Sequence, residues 1–153
     1  MLPQYSMMNQ MHLVDTHIGY ILMQSFSAFG VFLMRQFFIS IPNELLEAAR
    51  IDGMTEYGIF AKIALPLSKS SISTLVIFTF VTIWNDYMGP MIYFNTETKK
   101  TLQLGIKMFI GQYATEYGLV MAASVLSLIP VLVIFLLGQK QFVQGNASSG
   151  IKG

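Results

Sequence analysis

The sequence predicts an all-α protein, a polytopic bundle of membrane helices, from its composition, its apolar stretches and its charge. Of its 153 residues 54% are hydrophobic and only 11% are charged, whereas a soluble domain carries about 25% charged residues. Three apolar stretches approach the length of about 20 residues that a helix needs to cross a bilayer. The net charge of +1 gives no sign of a nucleic-acid-binding surface. We therefore expect the chain to lie in a lipid bilayer and to bind no nucleic acid.

The first predicted membrane helix runs roughly from Thr16 to Phe38. Its polar side chains follow helical spacing and would form one stripe, consisting of Thr16, Tyr20, Gln24 and Ser27. The residues before Asp15 are too few to cross a bilayer, and we interpret them as the end of an earlier helix followed by a turn. The chain is therefore expected to be an N-terminally truncated copy of a longer protein, with three full transmembrane helices plus the end of an earlier one.

The second predicted membrane helix runs roughly from Ser70 to Tyr87, and we expect Gly89-Pro90 to break it. Counting about 1.5 Å per residue from Lys69 places Asp86 roughly 25 Å along the helix, near the external surface. A broken helix with polar and aromatic side chains can line a path for a polar solute. The candidate residues for this translocation path are Gln24, Thr82, Trp84, Asn85, Asp86 and Tyr87.

Four of these candidates also have a structural interpretation, which we favour. Trp84 and Tyr87 lie near a helix end, where such residues commonly form the interfacial belt or pack against neighbours. Asn85 and Asp86 can shape the broken helix through hydrogen bonds without touching a solute.

The third predicted membrane helix runs roughly from Gly118 to Leu137. Pro130 inside it is expected to kink the helix, which a membrane bundle tolerates. Small and hydroxyl residues on this helix suit close packing against a partner subunit; they are Gly118, Ala122, Ala123 and Ser127. Lysine and arginine are more frequent between Arg35 and Lys69 and in the tail than in the loop between the second and third helices. This distribution predicts an external loop at 95–117 and a cytoplasmic tail at 139–153.

A charged segment, residues 42–66, separates the first two apolar stretches and is predicted to form two short helices. Pro42 suits the first turn of a helix, and Gly53 can end that helix in a left-handed conformation. Thr55 can cap a second helix, which Pro66 is expected to end. The result would be a cytoplasmic helix-turn-helix whose small, charge-rimmed surface can enter a groove on another protein. From spacing alone, an amphipathic connector that lies on the membrane surface is the first interpretation, although its face is too rich in alanine, and its basic residues too balanced by acids, for a strong lipid anchor.

The charged segment resembles the EAA motif of ABC importer permeases. That motif is EAA, three residues, G, nine residues, I, one residue, LP, and the corresponding residues here are Glu47-Ala48-Ala49, Gly53, Ile63 and Leu65-Pro66. Further stretches resemble the carbohydrate-uptake branch of that family, the maltose-type and glycerol-phosphate-type importers; they are LVDT, IPNELLEAARIDG, WNDY, KTLQLGI and QKQFVQG…GIKG. The resemblance covers nearly the whole chain but only the C-terminal part of the family's usual length.

The resemblance implies that residues 1–153 form one transmembrane permease domain in the inner (cell) membrane of a bacterium or archaeon. It implies that the charged segment is a coupling helix docking on a cytoplasmic ABC ATPase. The implied docking residues are Glu47, Ala48, Ala49, Arg50, Asp52, Gly53, Ile63, Leu65 and Pro66. A second permease subunit and an extracytoplasmic solute-binding protein are the other implied partners, and a sugar is the implied cargo.

No GxxxxGK[ST] nucleotide-binding loop occurs in the sequence. We therefore expect no enzyme activity and no cofactor in this chain, with ATP and Mg bound by the partner ATPase. His12 and His17 lie five residues apart without an acidic cluster, so we assign no metal site. Two alternatives stay open: a permease for another solute, and a truncated, non-transporting remnant that only docks the ATPase.

Overall fold

A computed structural model of the chain describes residues 2–110 and 116–149. Within these ranges the chain is helical, with turns between the helices and no β-strand. The α-helices are α1 (Leu2–Gln10), α2 (His17–Gln24), α3 (Ala28–Ile39), α4 (Asn43–Ile51), α5 (Glu56–Ile59), α6 (Leu65–Leu67), α7 (Lys69–Trp84), α8 (Met88–Tyr93), α9 (Leu102–Met108) and α10 (Tyr117–Ser149). A π-helical turn, Phe60–Ala64, joins α5 to α6, and a 3-10 turn, Glu97–Lys99, follows α8.

The helices differ in their ability to span a membrane. Residues Tyr117–Gln139 of α10 are long and apolar enough to do so alone. Two helix pairs meet the same criteria when each bent pair is taken as one span: α2 with α3, and Glu56–Leu67 with α7. The described part of the chain therefore contains one helix that can cross a membrane, or up to three, by length and composition.

The prediction of one continuous first membrane helix was wrong, because residues 25–27 interrupt it. The Ser25 hydroxyl donates to the Leu22 carbonyl at 2.7 Å, at the end of α2. The Ser27 hydroxyl accepts from the Gly30 amide at 3.2 Å and caps the start of α3. Serine side chains compete with the helical backbone for hydrogen bonds, and this competition favours the break here.

The break in the second predicted helix lies earlier than expected. Helix α7 ends at Trp84, and Gly89 and Pro90 lie inside α8 instead of breaking α7. Proline is tolerated in the first turn of a helix because the amide at that position has no intrahelical partner to lose. The expectation that Gly89-Pro90 breaks the helix was therefore wrong by a few residues.

The charged segment also departs from its prediction at its end. Pro66 lies within α6, so it does not end the second short helix. The widened π-helical turn Phe60–Ala64 comes directly before it. A proline removes the hydrogen bond to the carbonyl four residues earlier and crowds that carbonyl, and a π turn relieves the crowding. At the other end, Pro42 lies immediately before α4, at the N-cap position.

The chain divides into two compact units, each with its own packing. The first comprises Met1–Phe26 and Phe80–Ile134, and the second comprises Ser27–Thr79 and Phe135–Gly153. The core of the first unit consists of Met8, Tyr20, Tyr93 and Phe94. In the second unit the buried hydrophobic residues include Ile41, Ala49, Ile59, Ala64 and Ile77.

Candidate functional site

The turn of the charged segment is closed by backbone hydrogen bonds. The Met54 amide donates to the Ala49 carbonyl and the Gly53 amide to the Arg50 carbonyl, each at 3.0 Å. This pair of bonds is the Schellman arrangement that ends a helix, and it needs a residue with positive φ. Gly53 has a φ of +78°, which confirms the predicted left-handed end of α4. An added Cβ at Gly53 would have no atom within 4 Å, so backbone conformation alone favours glycine here.

An ion pair between Arg50 and Glu56 stabilises the same turn. The Arg50 guanidinium contacts the Glu56 carboxylate twice, with Nε to Oε1 at 2.7 Å and Nη2 to Oε2 at 3.3 Å. This bidentate pair lowers the pKa of Glu56 and raises that of Arg50. The Thr55 hydroxyl accepts from the Gly58 amide at 3.2 Å and starts α5, as the sequence predicted. The helix-turn-helix is therefore a locally closed structure.

The surface of the helix-turn-helix leaves several residues of the EAA-like motif accessible. Glu47 and Ala48 are exposed, whereas Ala49 is 4% exposed and packs inward. Two apolar side chains near the turn also face solvent, with Ile51 86% exposed and Tyr57 89% exposed. At the far end of the motif Ile63 is half-buried, and Leu65 and Pro66 are exposed. A helix of nine residues thus presents a carboxylate and a small side chain next to exposed apolar groups.

A polar cluster, here named the Asp86 cluster, contains Tyr20, Gln24, Asp86 and Gly89. The Tyr20 hydroxyl donates to Asp86 Oδ2 at 2.5 Å, and Gln24 Nε2 donates to the same oxygen at 3.3 Å and to the Tyr20 hydroxyl at 3.0 Å. The other oxygen, Asp86 Oδ1, accepts from the Gly89 amide at 3.1 Å. The carboxylate therefore joins α2 to the turn between α7 and α8.

Gly89 is needed for this close approach. A Cβ at position 89 would lie 2.5 Å from Asp86 Oδ2 and 2.8 Å from the Tyr20 hydroxyl oxygen. Both distances are shorter than any ordinary contact, so a side chain here would displace the cluster. The predicted stripe on the first helix is only partly reproduced: Tyr20 and Gln24 join the cluster, while Thr16 caps α2 through the Gly19 amide and Ser27 caps α3.

The remaining candidates for the translocation path occupy different surroundings. Trp84 Nε1 donates to the Ser127 carbonyl at 3.0 Å, and its ring stacks on Phe80. Asn85 donates to the Val81 carbonyl and accepts from Gln103 Nε2 at 3.3 Å. Lys107 Nζ lies 5.8 Å from the centre of the Tyr87 ring, and Thr82 is exposed. Helix α9, which carries Gln103 and Lys107, therefore contacts the break between α7 and α8.

One acidic residue was not selected from the sequence. Asp15 accepts hydrogen bonds from the segment after α8 and forms an ion pair with Lys99. The signals that could have indicated it are its place within the LVDT stretch and its position just before the Thr16 helix cap. No group of three or more histidine, cysteine, aspartate or glutamate side chains that could hold a metal ion occurs among the residues that the structure describes.

Comparison with known protein families gives a match over most of the chain. Residues 6–146 match the family described as binding-protein-dependent transport system inner membrane component. Among solved structures, a bacterial ABC transporter involved in the import of the acidic polysaccharide alginate superposes with a TM-score of 0.80 at 29% identity. That match covers 93% of this chain and 56% of the other.

Curated relatives share between a third and two fifths of their residues with the chain. The arabinooligosaccharides transport system permease protein AraQ of Halalkalibacterium halodurans is 35% identical over 153 residues, all of this chain and 55% of that protein. The lactose transport system permease protein LacG of Rhizobium radiobacter is 36% identical over 149 residues, which cover 97% of this chain and 55% of that protein. The sn-glycerol-3-phosphate transport system permease protein UgpE of Shigella flexneri serotype 5b is 40% identical over 149 residues, which cover 96% of this chain and 53% of that protein. The chain thus spans about half the length of the curated relatives that it matches.

Proposed function

The chain belongs to the family of binding-protein-dependent transport system inner membrane components, and on that premise we propose that it is a permease subunit of an ATP-driven sugar importer. The observation that carries this proposal is the folded EAA-like motif. Glu47 and Ala48 are exposed on α4, and the Gly53 turn closes the helix directly behind them. This geometry suits a short helix that enters a groove on a separate protein.

The docking partner in this proposal is a cytoplasmic ABC ATPase, which hydrolyses ATP with its own Mg. Glu47 supplies a charge for pairing, and the small side chain of Ala48 lets the partner approach closely. Ala49 packs inward at 4% exposure, so it supports the docking helix from behind. Arg50 holds Glu56 across the turn, and this ion pair keeps α4 and α5 in register while the ATPase moves. The remaining motif positions, Asp52, Gly53, Ile63, Leu65 and Pro66, shape the turn and the helix that follows.

The translocation path in this proposal passes the break between α7 and α8. The Asp86 carboxylate accepts bonds from Tyr20, Gln24 and Gly89, which supports a role in shaping the break more than in binding a solute. Trp84 is held by the Ser127 carbonyl, which supports a packing role. The exposed side chain of Thr82 is available to sugar hydroxyl groups, and Tyr87 offers an aromatic face. Asn85 is exposed as well, but its amide is engaged by the Val81 carbonyl and Gln103, which supports a structural role.

The relatives support a sugar as the cargo class. The names of three curated relatives refer to arabinooligosaccharides, lactose and sn-glycerol-3-phosphate, and the superposed structure comes from an importer of the polysaccharide alginate.

We place the chain in the inner membrane as a multi-pass protein whose charged segment (42–66) and tail (139–153) face the cytoplasm. In the predicted external loop, 95–117, residues 111–115 lie outside the described part of the chain. Its described residues, 95–110 and 116–117, then face the extracytoplasmic solute-binding protein, and a second permease subunit completes the channel.

A pull-down tests this proposal. The tagged chain is extracted from the membranes of its source cells in a mild detergent, and mass spectrometry identifies the proteins that come with it. Recovery of an ABC ATPase together with a second permease supports the importer. Recovery of the ATPase alone favours a remnant that docks without transporting, and recovery of neither contradicts the docking assignment. A chain that carries Glu47→Lys is the control, because it should insert in the membrane without retaining the ATPase.

A further inference from the structure

Asp15 lies at the centre of a set of hydrogen bonds between two distant parts of the chain. Its Oδ1 accepts from the Asn95 amide at 3.0 Å and from the Thr96 amide at 3.1 Å. Its Oδ2 accepts from the Thr96 hydroxyl at 2.6 Å and from Lys99 Nζ at 3.1 Å. Both carboxylate oxygens are therefore engaged by one stretch of five residues, 95–99, which we name together with Asp15 the Asp15 clasp.

The backbone of Asp15 strengthens the same connection. Its amide donates to the Tyr93 carbonyl at 2.9 Å, and its carbonyl accepts from Lys99 Nζ at 2.6 Å. Asp15 has a φ of +59°, in the left-handed region that few residues other than glycine, asparagine and aspartate adopt readily. This conformation turns the chain so that the amide faces the last residue of α8, while the carbonyl and the carboxylate face the segment after it. The turn before α2 is thus shaped around the clasp.

The Asp15 clasp holds the residues that directly follow Tyr93 and Phe94, where the chain passes from the core of the first unit to the surface. Tyr93 and Phe94 are each 3% exposed and pack against Tyr20 and Met8. The next residues, 95–98, are exposed. Asn95 and Thr96 among them contact Asp15, which lies two residues before the start of α2. The neighbouring ion pair, between Lys100 and Glu97, is longer at 3.8 Å and lies within the segment itself. It therefore cannot anchor the segment to another element.

We infer that Asp15 is a positioning residue, which anchors residues 95–99 and thereby orients residues 95–110 toward a protein bound at that surface. The inference rests on the proposed function for the identity of that protein, a solute-binding protein. The clasp itself depends only on the contacts of Asp15. It is separate from the Asp86 cluster, with which it shares no side chain.

Limited proteolysis of the full chain in detergent tests the clasp without reference to transport. Trypsin cleaves after lysine, and Lys99 Nζ is held by Asp15 in the folded chain. In Asp15→Ala the segment loses every contact with the Asp15 carboxylate, and we expect cleavage after Lys99 and Lys100 to become about tenfold faster, since hydrogen bonds to charged groups oppose local opening. Cleavage at the unchanged rate in this variant would overturn the inference.

Milder variants separate loss of the clasp from misfolding. Asp15→Asn keeps an acceptor oxygen and tolerates the left-handed backbone, but it removes the charge that faces Lys99. Thr96→Val removes only the hydroxyl donor and keeps the branched shape. Both should be cleaved at rates between those of the unchanged chain and Asp15→Ala. Thr98→Val is the matched control, since it makes the same change of side chain at an exposed residue of the same segment that takes no part in the contacts of Asp15, and its cleavage rate should not change.

A second measurement tests the orienting role. In liposomes that contain the complete importer, ATPase activity is titrated with the solute-binding protein. Asp15→Asn should raise the half-saturating concentration of binding protein several-fold and leave the maximal activity unchanged. An unchanged half-saturating concentration, with proteolysis accelerated, would overturn the orienting role. If the binding protein fails to stimulate even the unchanged importer, the proposed function is wrong and the orienting role fails with it, whereas the clasp is still judged by proteolysis.

Discussion

The charged segment and the Asp86 cluster differ in how far their interactions reach along the chain. In the charged segment, the hydrogen bonds that close the turn join residues that are close in sequence, and even Arg50 and Glu56 are only 6 positions apart. In the Asp86 cluster the Tyr20 hydroxyl and the Asp86 carboxylate are 66 positions apart. The first region is thus specified by neighbouring residues, and the second exists only when distant helices have come together.

The two regions also differ in exposure, and this difference supports different roles. In the charged segment Glu47, Ala48, Ile51 and Tyr57 face solvent, as expected of a surface that meets another protein. In the Asp86 cluster Tyr20 is 7% exposed and the carboxylate is surrounded by donors of its own chain. One region presents side chains outward, and the other uses them to hold its own backbone. Substitutions should therefore affect partner binding in the first region and stability in the second.

The largest expected effect is on partner binding. Glu47→Lys reverses an exposed charge on α4, the proposed docking helix, and we expect it to abolish co-purification of the ATPase while membrane insertion is unchanged. Glu44→Lys is the matched control, because Glu44 is an exposed glutamate on the same helix. A pull-down in detergent measures the result. If the Glu47→Lys chain retained the ATPase, the docking role would be contradicted, and the two regions would no longer differ in partner binding.

The next effect is on stability in the Asp86 cluster. Gly89→Ala places a Cβ 2.8 Å from the Tyr20 hydroxyl oxygen, and overpacking of this kind lowers the free energy of unfolding by about 1–3 kcal/mol. Gly105→Ala in α9 is the control, since its Cβ would meet no atom within 4 Å. Thermal unfolding of the two variants in detergent measures the difference. Equal melting temperatures would show that the cluster is not tightly packed.

A smaller effect is expected at the turn of the charged segment. Gly53 has a φ of +78°, and an alanine held in the left-handed region is strained by about 1–2 kcal/mol. Gly53→Ala should therefore weaken ATPase binding and the local helix-turn-helix. Gly53→Asn should be tolerated better, because asparagine adopts this conformation more readily. The affinity of each variant for the purified ATPase is measured. If Gly53→Asn bound the ATPase more weakly than Gly53→Ala, a contact with the partner, and not the backbone conformation, would determine which residue is tolerated at position 53.

The smallest effect concerns the ion pair that braces this turn. The hydrogen bonds and the charge of Arg50 lower the pKa of Glu56, so the pair's contribution is fully present above the ordinary pKa of a glutamate. It is lost as the pH falls through the lowered pKa of the folded chain. The melting temperature of Glu56→Gln should thus lie slightly below that of the unchanged chain at neutral pH and coincide with it in strong acid. Because both side chains are exposed, added salt should also reduce the difference.

Most of the charged segment could be predicted from the sequence. Its two helices, the left-handed Gly53 and the Thr55 cap are all found. Each depends on a residue's own conformational preference or on a side chain that reaches its near neighbours. The prediction failed at Pro66, where a π turn accommodates the proline. That outcome depends on small adjustments of several carbonyl groups, which no residue pattern records.

The sequence predicted that the apolar stretches are helical, but it did not predict correctly where the helices break. Ser27 was placed in a stripe on one continuous helix, but it begins a new helix. The break in the next stretch falls at residues 85–87, ahead of Gly89-Pro90. Serine and proline each fit more than one helix position, so their spacing alone does not decide between continuation and a break. At the second break, the Asp86 carboxylate and the Gly89 amide decide the outcome.

By itself the sequence determined the class of the protein, its apolar stretches and the helix-turn-helix that carries the EAA-like motif. Composition and local preference are sufficient for these features because each residue responds mainly to water, lipid or its near neighbours. Only the tertiary structure showed that Asp15 holds Thr96 and Lys99, or that Tyr20 and Gln24 share the Asp86 carboxylate. Such contacts join residues far apart in the chain, and many pairs of polar residues could form them. Packing of the surrounding helices selects which of these pairs meet.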